Sequence, residues 1–206
     1  MSTPPSSDDR PASQVTNLLF CGVGGQGILL ASEITAHALI RQGLSVKKSE
    51  VHGMAQRGGS VVAHLRFGAL VYSPLIEPGT ADLLVAFEKL EAVRYLPYLH
   101  PASRVIANSQ EIPPPVVATG KALYPHAILD ELRQRHVSVV ELDAELLARQ
   151  AGEPRTVNMV LVGALAVFLP VPVATFRAVI EERVPERFRT ANQLAFDLGR
   201  AAVSQQ

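Results

Sequence analysis

The 206-residue sequence has a single cysteine, no tryptophan and no excess charge, since its formal net charge at pH 7 is zero. One cysteine, Cys21, excludes an internal disulfide framework and cannot by itself supply the thiolates of an iron–sulfur cluster or a structural zinc site. The balanced charge provides no global field to attract nucleic acid or an anionic membrane. We therefore expect no metal site in this chain, and neither nucleic acid nor membrane among its partners.

Long uninterrupted apolar runs are also missing. The most apolar segment, VNMVLVGALAVFLPVPV, is interrupted by Asn158, Gly163 and Pro170, and its clean part is too short to cross a bilayer. It predicts a buried helix instead. Residues 1–16 are rich in serine and proline and lack the apolar core of a secretory signal, which predicts a disordered tail and a cytoplasmic protein.

The sequence also lacks a recognisable set of catalytic residues. The six histidines are scattered without the spacing of metal ligands, and Cys21 is best explained as a small buried apolar residue. His52 lies beside a glycine-rich loop, where orienting a ligand and forming an ordinary neutral hydrogen bond are alternatives. Glu88 and Glu91 are typical of acids at a helix start. We predict no catalytic residue in this chain.

The order of apolar and polar segments predicts an α/β fold. An apolar run at 17–23, a helix at 26–42 and a strand at 44–51 form a β-α-β unit. The alternation in 60–74, broken at 67–69, predicts a hairpin. Later strands alternate with helices as far as Leu142, and only helices follow. We expect a single domain over 17–203: a mostly parallel, Rossmann-like sheet flanked by helices (17–142), then a C-terminal helical layer (143–203).

The segment CGVGGQGILL contains the spacing Gly-x-Gly-x-x-Gly at Gly22, Gly24 and Gly27, with Gly25 and Gln26 between the last two. A strand before it and a helix after it favour an anion cradle, in which backbone N–H groups at a helix N-terminus face a phosphate or carboxylate. Close packing of helix against strand, which also needs small residues, explains the motif equally well.

A nicotinamide-binding dehydrogenase or sensor is an alternative, because this spacing is found in dinucleotide-binding folds. Such folds place an acid about twenty residues further on, at the end of the second strand. Glu50 fits that position, whereas Lys47 and Lys48 fit a 2′-phosphate, so this criterion is ambiguous. The Gly-Gly-Gln-Gly sequence is unusual for a nicotinamide enzyme and makes this alternative the weaker one.

A second group of unusual residues lies in the loop HGMAQRGG, where Gln56 and Arg57 precede Gly58 and Gly59. The glycines allow the backbone to adopt many conformations, and the loop presents an amide and a permanent cation. These groups could bind a carboxylate, a phosphate or a partner's backbone. A solvated turn is the alternative. Asn158 opens the apolar helix and must satisfy its amide by capping, by binding a neighbouring loop or by facing a partner.

Five stretches in this order resemble one family: GVGGQGILLASEI, VKKSEVHGMAQRGGSVVAHLRFG, VYSPLI, ADLLVAFEKLEAVRYLPYL and VNMVLVGALAVFL. Together they resemble the gamma-type subunit of the 2-oxoacid:ferredoxin oxidoreductases, and within that family the indolepyruvate branch. The resemblance extends over residues 17–199 and omits only the N-terminal tail.

The resemblance implies one part of a larger enzyme that decarboxylates a 2-oxoacid oxidatively, with coenzyme A as co-substrate, to acyl-CoA, carbon dioxide and reduced ferredoxin. Thiamine diphosphate, magnesium and iron–sulfur clusters would belong to a large alpha subunit, which would contact ferredoxin in turn, and this chain would bind no cofactor alone. The resemblance gives its two loops a ligand-facing or interface role. The residues concerned are Gly22, Gly24, Gly25, Gln26, Gly27, Gln56, Arg57, Gly58 and Gly59. A pure scaffold with tightly packed glycine loops is a third hypothesis.

Overall fold

The computed structural model describes residues 15–52, 59–134 and 137–204, apart from the side chain of His52. Six strands form one sheet in the order β2-β3-β1-β4-β5-β6. They are β1 (Thr16–Val23), β2 (Ser45–His52), β3 (Ser60–Gly68), β4 (Ala81–Ala86), β5 (Leu99–Asn108) and β6 (Ser138–Leu142). Only β3 runs against its neighbours, β1 and β2. The predicted mostly parallel α/β sheet is confirmed.

Eight α-helices surround the sheet in the part of the chain described above. They are α1 (Ile28–Arg41), α2 (Lys89–Arg94), α3 (Pro115–Ala118), α4 (Ile128–Gln134), α5 (Ala144–Gln150), α6 (Val157–Ala166), α7 (Val173–Arg183) and α8 (Arg189–Ser204). Short 3-10 turns occur at Leu96–Tyr98, Pro154–Thr156 and Glu186–Phe188. No helix among the described residues is both long and apolar enough to span a membrane.

The hairpin predicted over 60–74 is wrong. Residues 60–68 form the single strand β3, and the chain from Ala69 to Thr80 contains no strand. β3 instead pairs with two strands at once, since Ala63 lies opposite Phe20 of β1 and opposite Glu50 of β2. The alternation of polar and apolar residues that favoured a hairpin belongs to one strand, β3. This strand lies between β1 and β2, and such long-range pairing leaves no local signal in the sequence.

The core consists of two layers, one on each face of the sheet. Leu18 and Phe20 of β1 point to the face covered by α1 and by the helices from α5 onward, whereas Leu19 and Cys21 point to the face covered by α2 and α4. All four side chains are fully buried. Alternate residues of a strand project to opposite faces, so a continuous apolar run is what a strand covered on both faces requires.

α6 and α8 cross at very close range. A Cβ atom added to Gly163 of α6 would lie 2.0 Å from the carbonyl oxygen of Phe196, and one added to Gly199 of α8 would lie 1.9 Å from that of Val160. Glycine at both positions lets the two backbones touch. This crossing fixes the start of α6, where Asn158 lies.

Candidate functional site

The carboxyl edge of the sheet gathers the predicted site residues. β1, β2, β4, β5 and β6 all end there, and β3 begins there. The helices after β1 and β4, α1 and α2, lie on opposite faces of the sheet. Two adjacent parallel strands whose helices go to opposite faces leave a crevice between them, and such a crevice is where open α/β sheets bind ligands. Residues 22–27, the glycine turn, form one wall of this crevice.

Two glycines of the turn are required by packing inside the chain. A Cβ atom on Gly22 would lie 2.7 Å from both the Gln26 side-chain oxygen and the Phe87 Cβ. At Gly27, φ is 79° and a Cβ atom would lie 2.7 Å from Nδ2 of Asn158. The close-packing explanation therefore accounts for these two positions without any ligand.

Gly25 has a different environment. Its φ is 107°, and a Cβ atom built there would find nothing within 4 Å among the described residues. The outer side of the turn is thus open, directly before α1. The first turn of α1 contains no acidic side chain, so nothing there offsets the partial positive charge of the helix N-terminus. An anion cradle remains physically sound at Gly25 and the first turn of α1.

The Gln26 side chain crosses the crevice and holds the turn together. Its Oε1 accepts a hydrogen bond from the Val23 N–H at 2.7 Å, and its Nε2 donates to the Phe87 carbonyl at 3.0 Å and to Oε1 of Gln110 at 2.7 Å. Both amide hydrogens are used within the chain. The structure thus gives Gln26 a role in building the turn, and its role toward a ligand or partner stays a prediction.

The two glycine motifs meet at the carboxyl edge. The Gly24 N–H donates to the Gly59 carbonyl oxygen over 2.8 Å. His52 ends β2 at the same edge, with its Cα opposite that of Val61. Gln56, Arg57, Gly58 and the side chain of His52 lie outside the described residues. What the structure shows is that the first motif and the last residue of the second are in direct contact.

Asn158 satisfies its amide within the chain. The side chain is 5% exposed; Oδ1 accepts from the Met159 N–H at 3.0 Å, and Nδ2 approaches the Gly27 carbonyl oxygen at 3.5 Å. Of the alternatives considered above, binding a neighbouring loop is the one observed. The neighbouring loop is the glycine turn, so α6 supports the turn from behind.

Two buried carboxyl groups at the start of α2 complete the site. Glu88 caps the helix by accepting the Glu91 N–H at 3.0 Å, which confirms the prediction of helix-start acids. It also accepts from the Ile112 N–H at 3.1 Å and from the Tyr124 hydroxyl at 2.5 Å. Sequence reasoning missed Ile112 and Tyr124 because both partners are distant in the chain.

Glu91 reaches the other side of the crevice. It accepts a hydrogen bond from the Ser60 hydroxyl at 2.5 Å, and the Arg94 guanidinium lies 3.0 Å away. Cys21 is fully buried nearby, and burial raises the pKa of its thiol, with the Glu91 and Glu88 charges adding to the rise. The expectation of a buried Cys21 is confirmed. No group of three or more His, Cys, Asp or Glu side chains placed to hold a metal occurs among the described residues.

The sheet order argues against nicotinamide binding. In a dinucleotide-binding fold the strand carrying the ribose-binding acid lies next to the strand that carries the glycines. Here β3 separates β2 from β1, so Glu50 is one strand too far from the glycine turn. Its carboxylate is instead 2.6 Å from the Lys48 ammonium. Neither the ribose nor the 2′-phosphate interpretation fits this arrangement.

A shallow groove adjoins the glycine turn on the α1 side. Its walls combine apolar side chains with two asparagines, namely Leu30, Val184, Pro185, Phe188, Asn158 and Asn192. The Arg155 guanidinium lies at its rim, 5.1 Å from the centre of the Phe188 ring and in a two-pronged ion pair with Glu153. Because that carboxylate offsets the arginine charge, the groove is suited to a largely apolar group.

Comparison with known proteins agrees with this architecture. A family model described as pyruvate ferredoxin/flavodoxin oxidoreductase matches residues 17–202. Indolepyruvate oxidoreductase subunit IorB of Thermococcus kodakarensis is 40% identical over 200 residues, which cover 92% of this chain and 96% of that protein.

Two solved structures share the fold. The gamma subunit of a keto/oxoacid ferredoxin oxidoreductase from Geobacter sulfurreducens superimposes with a TM-score of 0.70 at 22% identity, covering 93% of this chain and 99% of that one. The 2-oxoglutarate:ferredoxin oxidoreductase from Magnetococcus marinus gives a TM-score of 0.74 at 21% identity, covering 94% of this chain and 32% of that one.

Proposed function

Because the chain belongs to the pyruvate ferredoxin/flavodoxin oxidoreductase family, we propose that it is the small subunit of a 2-oxoacid:ferredoxin oxidoreductase that acts on indolepyruvate or a related arylpyruvate. The complex converts the 2-oxoacid and coenzyme A to acyl-CoA and carbon dioxide, and two electrons pass to ferredoxin. The identity to an indolepyruvate oxidoreductase subunit supports this choice of substrate.

The redox and thiamine chemistry belongs to a large partner subunit in this proposal. An iron–sulfur cluster needs several thiolates, whereas this chain has only Cys21, which is fully buried with a raised pKa. Its residues therefore do not fit a cluster. In this proposal thiamine diphosphate and magnesium lie in the same partner, and this chain contributes protein surface alone.

That surface is the carboxyl edge, where the chain forms part of the cavity for coenzyme A and substrate. The observation that carries this assignment is the Gly24 N–H to Gly59 carbonyl bond, because it places Gly59, the last residue of the second motif, against the first motif at the carboxyl edge. Coenzyme A is rich in phosphate and the 2-oxoacid carries a carboxylate. An open turn at the N-terminus of α1 suits either anion.

The adjoining groove strengthens the assignment to coenzyme A. Asn158 belongs to both the groove and the support of the glycine turn, so an anionic group at the turn and an apolar group in the groove would be neighbours. Coenzyme A combines both kinds of group in one molecule. The Magnetococcus enzyme of the same fold holds 2-oxoglutarate, coenzyme A and succinyl-CoA, which is the same pair of substrate classes.

Reconstitution tests the proposal. We expect the purified chain to be colourless and inactive, and the large subunit to reduce ferredoxin with arylpyruvate and coenzyme A only when this chain is added. Dye reduction by the chain alone, or stoichiometric iron in it, would contradict the division of labour. Full activity of the large subunit without the chain would leave only the scaffold hypothesis.

A further inference from the structure

The buried carboxyl groups of α2 are connected to both halves of the glycine turn, and the proposed reaction gives neither of them a part. Glu88 and Glu91 are 1% and 5% exposed. Buried carboxylates are retained at a cost unless hydrogen-bond donors surround them. The donors here come from three separate loops at the carboxyl edge, which indicates that the two groups hold those loops together.

Glu91 is connected to the first half of the turn. Its carboxylate accepts the Ser60 hydroxyl at 2.5 Å, and Ser60 directly follows Gly59, whose carbonyl accepts the Gly24 N–H at 2.8 Å. Arg94 lies 3.0 Å away on the exposed side, and this charge-assisted hydrogen bond helps to hold the carboxylate in place. A short path of two hydrogen bonds and one peptide thus runs from α2 to Gly24.

Glu88 is connected to the second half of the turn by a longer path. It holds the Ile112 N–H at 3.1 Å, two residues beyond Gln110, and the Lys89 N–H donates to the Gln110 carbonyl at 3.2 Å. The Gln110 side chain then accepts from Gln26 at 2.7 Å. Two paths from one helix start therefore end two residues apart in the turn.

We propose that Glu91 is a positioning residue for the glycine turn, which acts through Ser60 and Gly59 to fix the amide of Gly24. The structural part of this proposal stands on the hydrogen bonds alone. Its consequence for catalysis rests on the proposed function, because a displaced Gly24 matters only where the turn faces coenzyme A or the 2-oxoacid.

Hydrogen exchange at the Gly24 amide of the full chain tests the structural part. Ser60→Ala removes the donor, and we expect about tenfold faster exchange, which corresponds to one ordinary hydrogen bond. Glu91→Gln, which keeps the size of the side chain, should also speed exchange at Gly24. Ser60→Thr keeps a hydroxyl and should exchange at the wild-type rate. Ser138→Ala is the matched control, because Ser138 also opens a strand but is exposed on β6.

Two results would overturn the proposal. One is a wild-type exchange rate at Gly24 in both Ser60→Ala and Glu91→Gln. The other is equal acceleration in Ser60→Thr and Ser60→Ala. Slowly exchanging amides of α7, on the opposite face of the sheet from α2, should keep their rates in every variant, because general loss of stability would change them as well.

The reconstituted complex tests the consequence. Ser60→Ala should raise KM for coenzyme A about tenfold and leave kcat within about twofold, since the change affects binding rather than the chemical step. An unchanged KM with accelerated Gly24 exchange would refute the role of the turn in the proposed function while leaving the positioning path intact. An unchanged KM with unchanged exchange would refute the positioning path itself.

Discussion

At the α6–α8 crossing, a Cβ on Gly163 would lie 2.0 Å from a backbone carbonyl oxygen, whereas at Gly25 of the glycine turn it would find no described residue within 4 Å. Backbone cannot move aside as a flexible side chain can, so the crossing requires glycine for packing. Gly25 adopts a positive φ, and packing against the described part of the chain does not explain its lack of a side chain. Within the turn, Gly22 and Gly27 resemble the crossing, since their Cβ atoms would also meet neighbours of the chain. Of these three glycines, Gly25 alone has no neighbour among the described residues where a side chain would project.

The largest effect is expected at the crossing. Gly163→Ala forces α6 and α8 apart and should lower the free energy of unfolding by about 3 kcal/mol, the upper end of the usual cost of overpacking a core. Chemical denaturation of the purified chain measures this. A loss below about 1 kcal/mol would show that the two helices can separate at little cost, and the contrast with the turn would disappear.

A smaller effect is expected at Gly27, where a matched control exists. Gly27 and Gly43 have φ values of 79° and 77°, but only Gly27 has Asn158 within contact distance of a new Cβ. Gly43→Ala should cost about 1 kcal/mol from backbone strain alone, and Gly27→Ala about 1 to 3 kcal/mol more.

The difference between these two variants measures the collision with Asn158 alone. Adding Asn158→Ala to Gly27→Ala should recover part of that difference, because the obstructing side chain is gone. Equal losses of stability in Gly27→Ala and Gly43→Ala would mean that Asn158 moves aside freely and does not support the turn.

The smallest effect is expected at His64, midway along β3, to which the proposal assigns no ligand. His64 is buried, its Nδ1 accepts the Ile76 N–H at 3.1 Å, and burial lowers its pKa. The neutral form is thus favoured in the native state, so its stabilising effect is complete above the unfolded pKa of about 6.5 and is lost as pH falls from that value through the lower native pKa.

Denaturation at pH 7.5 and pH 5.5 should show this loss in the wild type and less of it in His64→Gln. Comparing the same two proteins cancels the contribution of His37, whose pKa burial and Arg183 also lower. A change in KM for coenzyme A in His64→Gln would show that a residue away from the carboxyl edge affects coenzyme A binding. That result would contradict the comparison made above.

Local patterns in the sequence were sufficient for most of the elements. The helix predicted at 26–42 is observed as Ile28–Arg41, because apolar periodicity and a following glycine define such a helix without reference to the rest of the chain. The β3 strand was mistaken for a hairpin because its partners, β1 and β2, are set by long-range pairing. For the same reason the sequence alone did not reveal that β3 lies between β1 and β2. This strand order is the evidence against nicotinamide binding.

The same difference between local and long-range information applies to the candidate site. The glycine spacing located the turn, but it did not separate packing glycines from open ones, since that distinction depends on Phe87 and Asn158. The two acceptors of the Gln26 Nε2 group lie 61 and 84 residues away in the chain. Ser60 and Tyr124 carry no local signal at all, because a lone hydroxyl gains its role only from the buried carboxylate that it meets.

Above all, we propose that the open part of the glycine turn faces coenzyme A or the 2-oxoacid in the assembled enzyme. Hydrogen exchange of the reconstituted complex, with and without coenzyme A and arylpyruvate, tests it most directly. We predict slower exchange on ligand addition at Gly24 and Gly25 and in the first turn of α1, with no change at the amino edge around Ile76. Unchanged exchange at the turn, in a complex that turns over both ligands, would contradict the claim.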